Sequence, residues 1–240
     1  MTVLVVGATG ATGRLLTQQL LEYGHEVKAI VRSKEKLAEL EESYPGFVQI
    51  TGTVLDMSET DLANHLEGCD AVFSCLGHNL TWKGMYGKPR KLVADSVEKL
   101  CEAIVLNNPS EPVQFVLMNT NGNTNRDLQE NYSLKDRMVI FLVRALIPAH
   151  SDNEDAADYL RVQIGQDNSK IEWVVVRPDN LIDEPEVSEY ELHGSPVRGV
   201  IFDSGQTSRV NVANGMATLI TEKELWNKWK GQMPVIFNKE

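Results

Sequence analysis

Features that mark secreted, membrane-spanning and nucleic-acid-binding proteins are scarce in this sequence. Only three cysteines occur, Cys69, Cys75 and Cys101, and no two of them have C-x-x-C spacing. An odd number of cysteines in a chain without a secretory signal favours the reducing cytoplasm over an oxidising compartment. No apolar run approaches the roughly 20 residues of a membrane-spanning helix, so we expect a cytoplasmic protein with no membrane partner.

Basic residues are also few. The chain has 23 Lys and Arg against 34 Asp and Glu, which gives a formal net charge of −11. Nucleic-acid binding depends on basic surface, so we expect no nucleic acid as a partner. The expected partner is a small-molecule substrate or a redox partner, and we expect either a monomer or a homodimer.

Signatures of several large enzyme classes are missing. The five histidines lack the spacing to cysteines or acids that metal sites need, so no metal is expected. The G-x-S-x-G nucleophile elbow of hydrolases is absent. Gly13 is followed by Arg14 and Leu15, and a Walker phosphate-binding loop would have Lys and then Ser or Thr there. Metal, hydrolase and Walker-type chemistry are therefore disfavoured.

What the sequence has is a regular alternation of apolar runs with helical patterns. Apolar residues make up 42% of the chain, enough for a sizeable core. Apolar runs of strand length lie at 3–6, 27–31, 47–50, 71–75, 115–118, 173–176 and 235–237. Helical patterns lie at 14–23, 34–43, 59–66, 91–106 and 155–164, and a Trp-bearing helix is expected at 225–230.

Strands separated by helices predict an α/β protein with a doubly wound parallel sheet, the Rossmann fold. We expect a single domain over residues 1–240, with a small C-terminal region on the substrate side. Residues 183–203 carry acids, glycine and proline without periodicity, so we expect a cap or loop excursion there.

A glycine-rich turn follows the first apolar run. Gly7, Gly10 and Gly13 have the spacing G-x-x-G-x-x-G between a predicted strand and a predicted helix. In such a unit the first glycine allows the tight turn, the second lets the backbone approach a pyrophosphate, and the third lets the helix pack on the sheet. The segment therefore predicts a dinucleotide site. The other turn residues expected to contact the cofactor are Thr9, Ala11 and Thr12.

The end of the second predicted strand indicates which dinucleotide is bound. An acid there would bind the ribose 2′-hydroxyl of NAD, but this chain has Arg32 followed by Ser33. A guanidinium and a hydroxyl suit a 2′-phosphate, and Arg14 after the glycine turn is a second cation for it. We therefore expect NADP, with NADPH preferred over NADH.

Further cofactor contacts are expected at the carboxyl ends of other strands, because ligands bind there in doubly wound sheets. Adenine is expected after the third strand, ribose after the fourth, and nicotinamide after the fifth and sixth. These residues are Leu55, Asp56, Cys75, Leu76, Gly77, Asn119, Pro178, Asn180 and Leu181. Asp56 has the alternative role of capping a turn.

With these residues placed, the chain resembles the atypical, extended-like short-chain dehydrogenase/reductase superfamily. It resembles most the NAD(P)-binding group of NmrA-like redox sensors, flavin and biliverdin reductases and NAD-dependent epimerase-like proteins. The resemblance rests on the glycine turn, Arg32-Ser33, Leu55-Asp56, the run 174–178 and the segment 207–213, where Asn211 replaces the usual acid. These motifs cover almost the whole chain and imply one domain with about seven parallel strands.

Catalytic members of this superfamily use a Tyr-x-x-x-Lys pair together with a Ser or Thr. The lysine lowers the tyrosine pKa so that the tyrosine passes a proton near neutral pH. None of the six tyrosines here has a lysine four residues on, and Tyr132 has Asp136 at that position. Asn153 stands where the resemblance implies the lysine.

Three hypotheses follow from the missing pair. In the first, the chain is an NADPH-dependent reductase that passes a hydride to a small flavin-, quinone- or carbonyl-type acceptor. Thr120 would orient the acceptor, and Tyr132, His150 or His78 would pass a proton. In the second, it is a non-catalytic NADP(H)-binding redox sensor that acts through a protein partner. A nucleotide-sugar epimerase or dehydratase is disfavoured, because those reactions also depend on the pair.

Overall fold

The computed structural model describes residues 1–78, 81, 86–130 and 132–239. The strands in this part are β1 Thr2–Val6, β2 Glu26–Val31, β3 Phe47–Thr51, β4 Ala71–Ser74, β5 Val113–Met118, β6 Ile171–Pro178, β7 Asn180–Ile182, β8 Tyr190–His193, β9 Gln206–Ser208 and β10 Val235–Asn238. The α-helices are α1 Ala11–Glu22, α2 Ala38–Ser43, α3 Glu59–Leu66, α4 Leu92–Asn107, α5 Leu134–Leu146, α6 Pro148–Asp158, α7 Arg209–Thr221 and α8 Lys223–Trp229.

Eight strands form one sheet in the order β3-β2-β1-β4-β5-β6-β10-β8. Strand β8 runs antiparallel to β10, and the other neighbouring strands are parallel. The chain winds outward from β1 to β3 on one side and from β4 to β10 on the other. This reversal opens a crevice at the carboxyl ends of β1 and β4, where ligands bind in doubly wound sheets. The predicted fold is confirmed.

Helices cover both faces of the sheet. Val3 and Val5 of β1 belong to the core that α1 and α7 complete, and Leu4 and Val6 belong to the core that α3 and α4 complete. Successive side chains of a strand point to opposite faces, so both faces of β1 are buried. This is why β1 is a continuous apolar run and not an alternating one.

Helix α1 is terminated at Gly24. This residue has φ +81°, and its N–H donates to the carbonyl of Leu21 at 3.0 Å. The N–H of His25 donates to the carbonyl of Leu20 at the same distance. The two bonds form a Schellman motif, which satisfies the last carbonyls of the helix and favours glycine at the left-handed position.

Several elements differ from the sequence pattern. The predicted helix 34–43 is a 3₁₀ turn, Glu35–Leu37, followed by α2. The helix predicted at 155–164 begins earlier, at Pro148, whose fixed φ suits a first helical position, and it continues as a π-helix over Tyr159–Ile164. Strand β8 lies within 183–203 and forms the sheet edge, and β7 and β9 pair as a separate two-stranded sheet.

In the described part of the chain, no helix combines the length and apolar character needed to cross a bilayer.

Candidate functional site

The glycine turn is a tightly packed corner between β1 and α1. Gly7 has φ +79°, and a Cβ atom there would lie 2.4 Å from the carbonyl oxygen of Cys75. A Cβ atom on Gly13 would lie 2.2 Å from the carbonyl oxygen of Gly7. Both distances are far below van der Waals contact, so a side chain at either position would force the backbone to move.

Gly10 has a different environment, at the open side of the turn. It is the N-cap of α1 and brings no capping side chain. Among the described atoms within 4 Å, a Cβ atom on Gly10 would meet only the Gly7 carbonyl oxygen, at 3.2 Å. Gly10 and Ala11 are exposed, Thr9 is partly exposed and Thr12 is buried. The bare start of α1 can therefore be approached closely by a pyrophosphate, and the turn fits the predicted cofactor.

Arg32 lies beside this turn because of the strand register. Val6 of β1 stands opposite Ile30 of β2 in a parallel pair, so the residues after Val6 and those after Val31 leave the sheet side by side. Adjacent strands are about 4.8 Å apart, which is within the reach of an arginine side chain. Arg32 and Ser33 are both exposed. The structure therefore brings the two predicted parts of a phosphate-binding site together.

Arg14, the second predicted cation, already has an acidic partner. Its guanidinium lies 2.9 Å from a carboxylate oxygen of Glu39 on α2. The arginine side chain is about half exposed and the glutamate is 85% exposed. Ser33 also has a local partner, because its Oγ accepts a hydrogen bond from the N–H of Glu35 at 3.4 Å.

The loop after β3 is held in place by a lysine that the sequence pattern did not indicate. Lys99 of α4 donates from Nζ to the carbonyls of Leu55 and Met57, at 2.9 and 2.8 Å. Asp56 accepts a hydrogen bond from the Thr53 hydroxyl at 2.6 Å, and the same hydroxyl accepts the N–H of Asp56 at 3.2 Å, so Thr53 caps this turn. This loop is held in place at the same sheet edge as the glycine turn.

The segment after β4 passes directly behind the glycine turn. The Cys75 N–H donates to the carbonyl of Val6 at 2.9 Å, and its own carbonyl faces Gly7. Burial raises the pKa of the Cys75 thiol to about 12, so the sulfur is a neutral packing group at physiological pH. Leu76 and Gly77 continue this segment along the crevice. Cys75 and the backbone of Leu76 thus border the glycine turn, and Gly77 follows them in the chain.

His78 ends this segment and is anchored by Asp152 of α6. Its Nε2 lies 2.7 Å from an Asp152 carboxylate oxygen, and the two side chains are 5% and 1% exposed. The same carboxylate accepts the N–H groups of Val93 and Ala94, at 2.8 and 2.9 Å, in the first turn of α4. One buried acid therefore caps α4 and fixes the position of the His78 side chain.

Asparagines organise the loop after β5. The Asn119 amide donates to the backbone carbonyl of Asn153 at 2.8 Å, and its oxygen accepts from the N–H of Thr120 at 2.8 Å. The loop is thereby joined to α6 at Asn153, where the resemblance implies the catalytic lysine. The contact here uses the backbone of Asn153.

Thr120 and His150 lie on two sides of Gly122. A Cβ atom on Gly122 would be 3.3 Å from Cε1 of His150 and 3.8 Å from Oγ1 of Thr120. The Thr120 hydroxyl also accepts a hydrogen bond from the N–H of Gly122 at 3.3 Å. The two predicted catalytic side chains are therefore brought together at the carboxyl edge of the sheet.

Glu154 holds the other side of the His150 ring. Nε2 of His150 is 3.3 Å from a carboxylate oxygen of Glu154, one helical turn along α6. Arg144 donates two hydrogen bonds to the same carboxylate, at 2.6 and 2.7 Å. Burial raises the pKa of Glu154, but the contacts with His150 and Arg144 outweigh burial and lower the pKa to about 2. The carboxylate is therefore charged wherever the protein is folded near neutral pH.

The family model for NAD(P)H-binding proteins matches residues 7–223. The chain belongs to this family. A solved short-chain dehydrogenase/reductase from Veillonella parvula, in complex with NADP, is 14% identical and superposes with a TM-score of 0.72 over 99% of this chain and 94% of that one. An anaerobilin reductase from Escherichia coli O157:H7 is 16% identical, with a TM-score of 0.69 over 100% and 98% of the two chains. These likenesses show the same fold.

Relatives by sequence are partial. An uncharacterized protein from Schizosaccharomyces pombe is 30% identical over 135 residues, which are 54% of this chain and 43% of that protein. The chain spans less than half the length of the first curated relatives it matches. The family match thus establishes NAD(P)H binding and the solved structures establish the fold, and the site residues must be argued from this chain's own geometry.

Within this NAD(P)H-binding chain, Tyr132 is placed unlike a catalytic tyrosine. Its hydroxyl donates to Glu130 at 2.7 Å, and Glu130 is also paired with Arg177 of β6. Burial, and then the Glu130 charge, raise the pKa of Tyr132 above its ordinary value. A catalytic tyrosine needs a lowered pKa, so this arrangement disfavours Tyr132 as the proton donor.

The segment after β6 closes the far side of the crevice. Pro178 is buried, and its carbonyl accepts the N–H of Asn121 at 2.9 Å. Asp179 accepts from the amide of Asn121 at 3.2 Å and from the N–H of Gly205 at 2.9 Å, and burial raises its pKa. The two predicted residues that follow stand in β7, where Asn180 is exposed and Leu181 partly exposed.

A large cavity lies at the opposite edge of the sheet. It has a volume of about 780 Å³, and its lining includes Asp70, Gln114, Glu172 and Trp226, which stand near the amino ends of the strands or on α8. None of the predicted site residues lines it. The cavity is therefore separate from the cofactor crevice.

Proposed function

We propose that this protein is a cytoplasmic NADP(H)-dependent reductase that transfers a hydride to a small flavin-, quinone- or carbonyl-type acceptor. Membership of the NAD(P)H-binding family and the fold shared with a reductase support the coarse activity. The chain performs this reaction without a Tyr-x-x-x-Lys pair. When bound, the reduced nicotinamide supplies the hydride, and the protein orients the acceptor and provides a proton.

The proposed preference for NADPH rests on Arg32. Its side chain is exposed, and the register of β1 and β2 places it beside the glycine turn. A planar guanidinium forms charge-assisted, bidentate bonds with a phosphate, and Ser33 adds a hydroxyl. The residue directly after β2 is Arg32, where an acid would bind a free ribose 2′-hydroxyl. These features favour the phosphorylated cofactor.

The observation that carries the reductase proposal is the placement of His150 against Gly122 and beside Thr120. Glu154 contacts Nε2, so the ring edge with Cε1 and Nδ1 faces the crevice loop. The Glu154 carboxylate lies 3.3 Å from Nε2, so Nδ1 is the ring nitrogen on the side of Gly122. In the proposal, His150 passes its proton from Nδ1 to the reduced acceptor, and the Thr120 hydroxyl holds the acceptor oxygen.

A screen of flavins, quinones and aldehydes, followed by NADPH absorbance, tests the proposal. We expect turnover with at least one acceptor class. His150→Asn should lower kcat by about a hundredfold and leave the dissociation constant for NADPH nearly unchanged, since the residue acts on the proton alone. His193→Asn is the matched control, because His193 also faces a glutamate, at 3.1 Å, but sits on edge strand β8.

An active wild type with an unaffected His150→Asn variant would remove His150 from the mechanism. No turnover with any acceptor, together with tight NADPH binding, would contradict the reductase and support the alternative of a redox sensor. One observation favours that alternative: α5 carries Leu134, Met138 and Phe141 with 83%, 62% and 65% of their surface exposed. Exposed apolar patches of this kind often mark protein-binding surfaces.

A further inference from the structure

Glu39 is paired with the guanidinium of Arg14, to which the cofactor 2′-phosphate would also bind. Arg14 and Glu39 are 2.9 Å apart at the start of α1 and on α2. The neighbouring ion pair of this segment, between Lys34 and Glu41 at 3.9 Å, involves neither residue. Glu39 is thus the acid that pairs with Arg14.

The pair lies at the phosphate end of the crevice. Leu37, which precedes α2, is fully buried in the core that contains Leu16 of α1, so these two segments pack against the same face of the sheet. Arg32 leaves β2 immediately before this segment, beside the glycine turn that Arg14 follows. Arg14, Arg32 and Glu39 therefore lie on the side of the glycine turn where the proposed function puts the 2′-phosphate.

The pair is weak enough to be exchanged. Arg14 is about half exposed and Glu39 is mostly exposed. Exposed ion pairs contribute little to stability, because water screens them and two long side chains lose freedom. A phosphate dianion offers Arg14 more charge and bidentate geometry than a single carboxylate oxygen does. The phosphate can therefore displace Glu39. Its binding is weakened because the Arg14–Glu39 pair must break and because the Glu39 carboxylate stays close to the phosphate.

We propose that Glu39 is a specificity-determining residue that competes with the cofactor 2′-phosphate for Arg14. It lowers the affinity for NADPH and leaves the affinity for NADH unaffected, since NADH has no group that needs Arg14. This inference rests on the proposed placement of the 2′-phosphate between Arg14 and Arg32. In this proposal, Glu39 determines how strongly the protein prefers NADPH to NADH.

Equilibrium titration with NADPH and NADH, read by nicotinamide fluorescence, tests this without any turnover. Glu39→Gln should tighten NADPH binding by about two- to fivefold and leave NADH binding unchanged. Glu42→Gln is the control, because it removes the same charge from an exposed position of the same helix. We expect the control to change neither affinity by more than about 1.5-fold, since the charge is screened.

An Arg14→Gln background completes the test. There Glu39→Gln should lose its effect on NADPH, because the residue being competed for is gone. An unchanged ratio of NADPH to NADH affinity in Glu39→Gln, or an equal gain in Glu42→Gln, would overturn the inference. If the wild type binds both cofactors equally while Glu39→Gln favours NADPH, the inference stands and the proposed NADPH preference of the wild type fails.

Discussion

Glu130 and Arg177 form an ion pair with no solvent exposure on either side chain. The arginine Nη2 lies 2.6 Å from one carboxylate oxygen and Nη1 lies 3.2 Å from the other. Arg177 also donates to the carbonyls of Asn123 and Met233, both at 2.7 Å. The pair joins the loop after β5, which carries Thr120, to strand β6. The pair therefore holds the proposed active-site loop in place.

Replacing Glu130 tests how much the loop depends on this pair. Glu130→Ala should lower the free energy of unfolding by about 3–5 kcal/mol, because it leaves a buried, uncompensated guanidinium. Urea unfolding measures the change. Glu189→Ala is the control: Glu189 is 81% exposed in its pair with Lys239, and its removal should cost less than about 1 kcal/mol. Equal losses would show that Arg177 finds water or another partner.

The glycine turn makes a steric prediction. Gly13→Ala should destabilise the protein by about 1–3 kcal/mol and abolish cofactor binding, because the new methyl group would push α1 away from Gly7. Gly46→Ala is the control, since a Cβ atom there meets its nearest neighbour at an ordinary 3.7 Å. Thermal unfolding and cofactor titration are the measurements. Normal NADPH binding by Gly13→Ala would contradict the assigned packing.

Replacing Arg32 tests the predicted preference for NADPH over NADH. Arg32→Ala should weaken NADPH binding by about ten- to a hundredfold, the worth of a hydrogen-bonded charge contact, and should spare NADH. Isothermal titration with each cofactor measures both constants. Equal weakening of the two cofactors would mean that Arg32 contacts the common part of the molecule, and the NADP assignment would lose its support.

The charged state of Glu154 predicts a loss of stability in acid. Its folded pKa is about 2 against an ordinary 4.5, so the folded state binds fewer protons than the unfolded state at intermediate pH. The stabilisation is present above about pH 4.5 and is lost as the pH falls towards 2. In Glu154→Gln, the drop in unfolding free energy between about pH 6 and pH 3 should be smaller than in the wild type.

Denaturant unfolding at the two pH values measures that drop. Glu189→Gln serves as the control, because an exposed glutamate should leave the pH dependence nearly unchanged. An identical acid transition in Glu154→Gln and the wild type would mean that other carboxylates govern acid unfolding.

Local signals explain which parts of the fold were predictable. Helix α3 has the predicted bounds, Glu59 to Leu66, because Ser58 caps it by accepting the N–H of Asp61 at 3.1 Å. Strand β1 and the glycine turn were predicted because their sequence pattern is contiguous. Strands β7 and β9, with three residues each, are too short to show periodicity, and their pairing depends on the loop network around Asp179.

Contacts between distant segments were not predictable from one sequence. The partner of Arg177 lies 47 residues away, and the partner of His78 lies 74 residues away. A charged residue at the end of the apolar run 174–176 was the available signal for Arg177, since a buried guanidinium needs a buried acid. Lys99 stands on the predicted helix 91–106, where it looks like part of an ordinary solvated face, and Glu154 lies just before the predicted helix 155–164, so nothing local distinguishes them.

The cap that Asp152 places on α4 has a consequence for assembly of the fold. The first turn of α4 receives its acceptors from a residue nearly 60 positions later, through the N–H groups of Val93 and Ala94. That turn cannot be completed while α6 is undocked, so its local opening is linked to the opening of α6. The rate of hydrogen exchange at these two amides therefore reports how often α6 undocks. Because Asp152 of α6 also holds His78, the same rate reports how firmly the segment behind the glycine turn is held in solution.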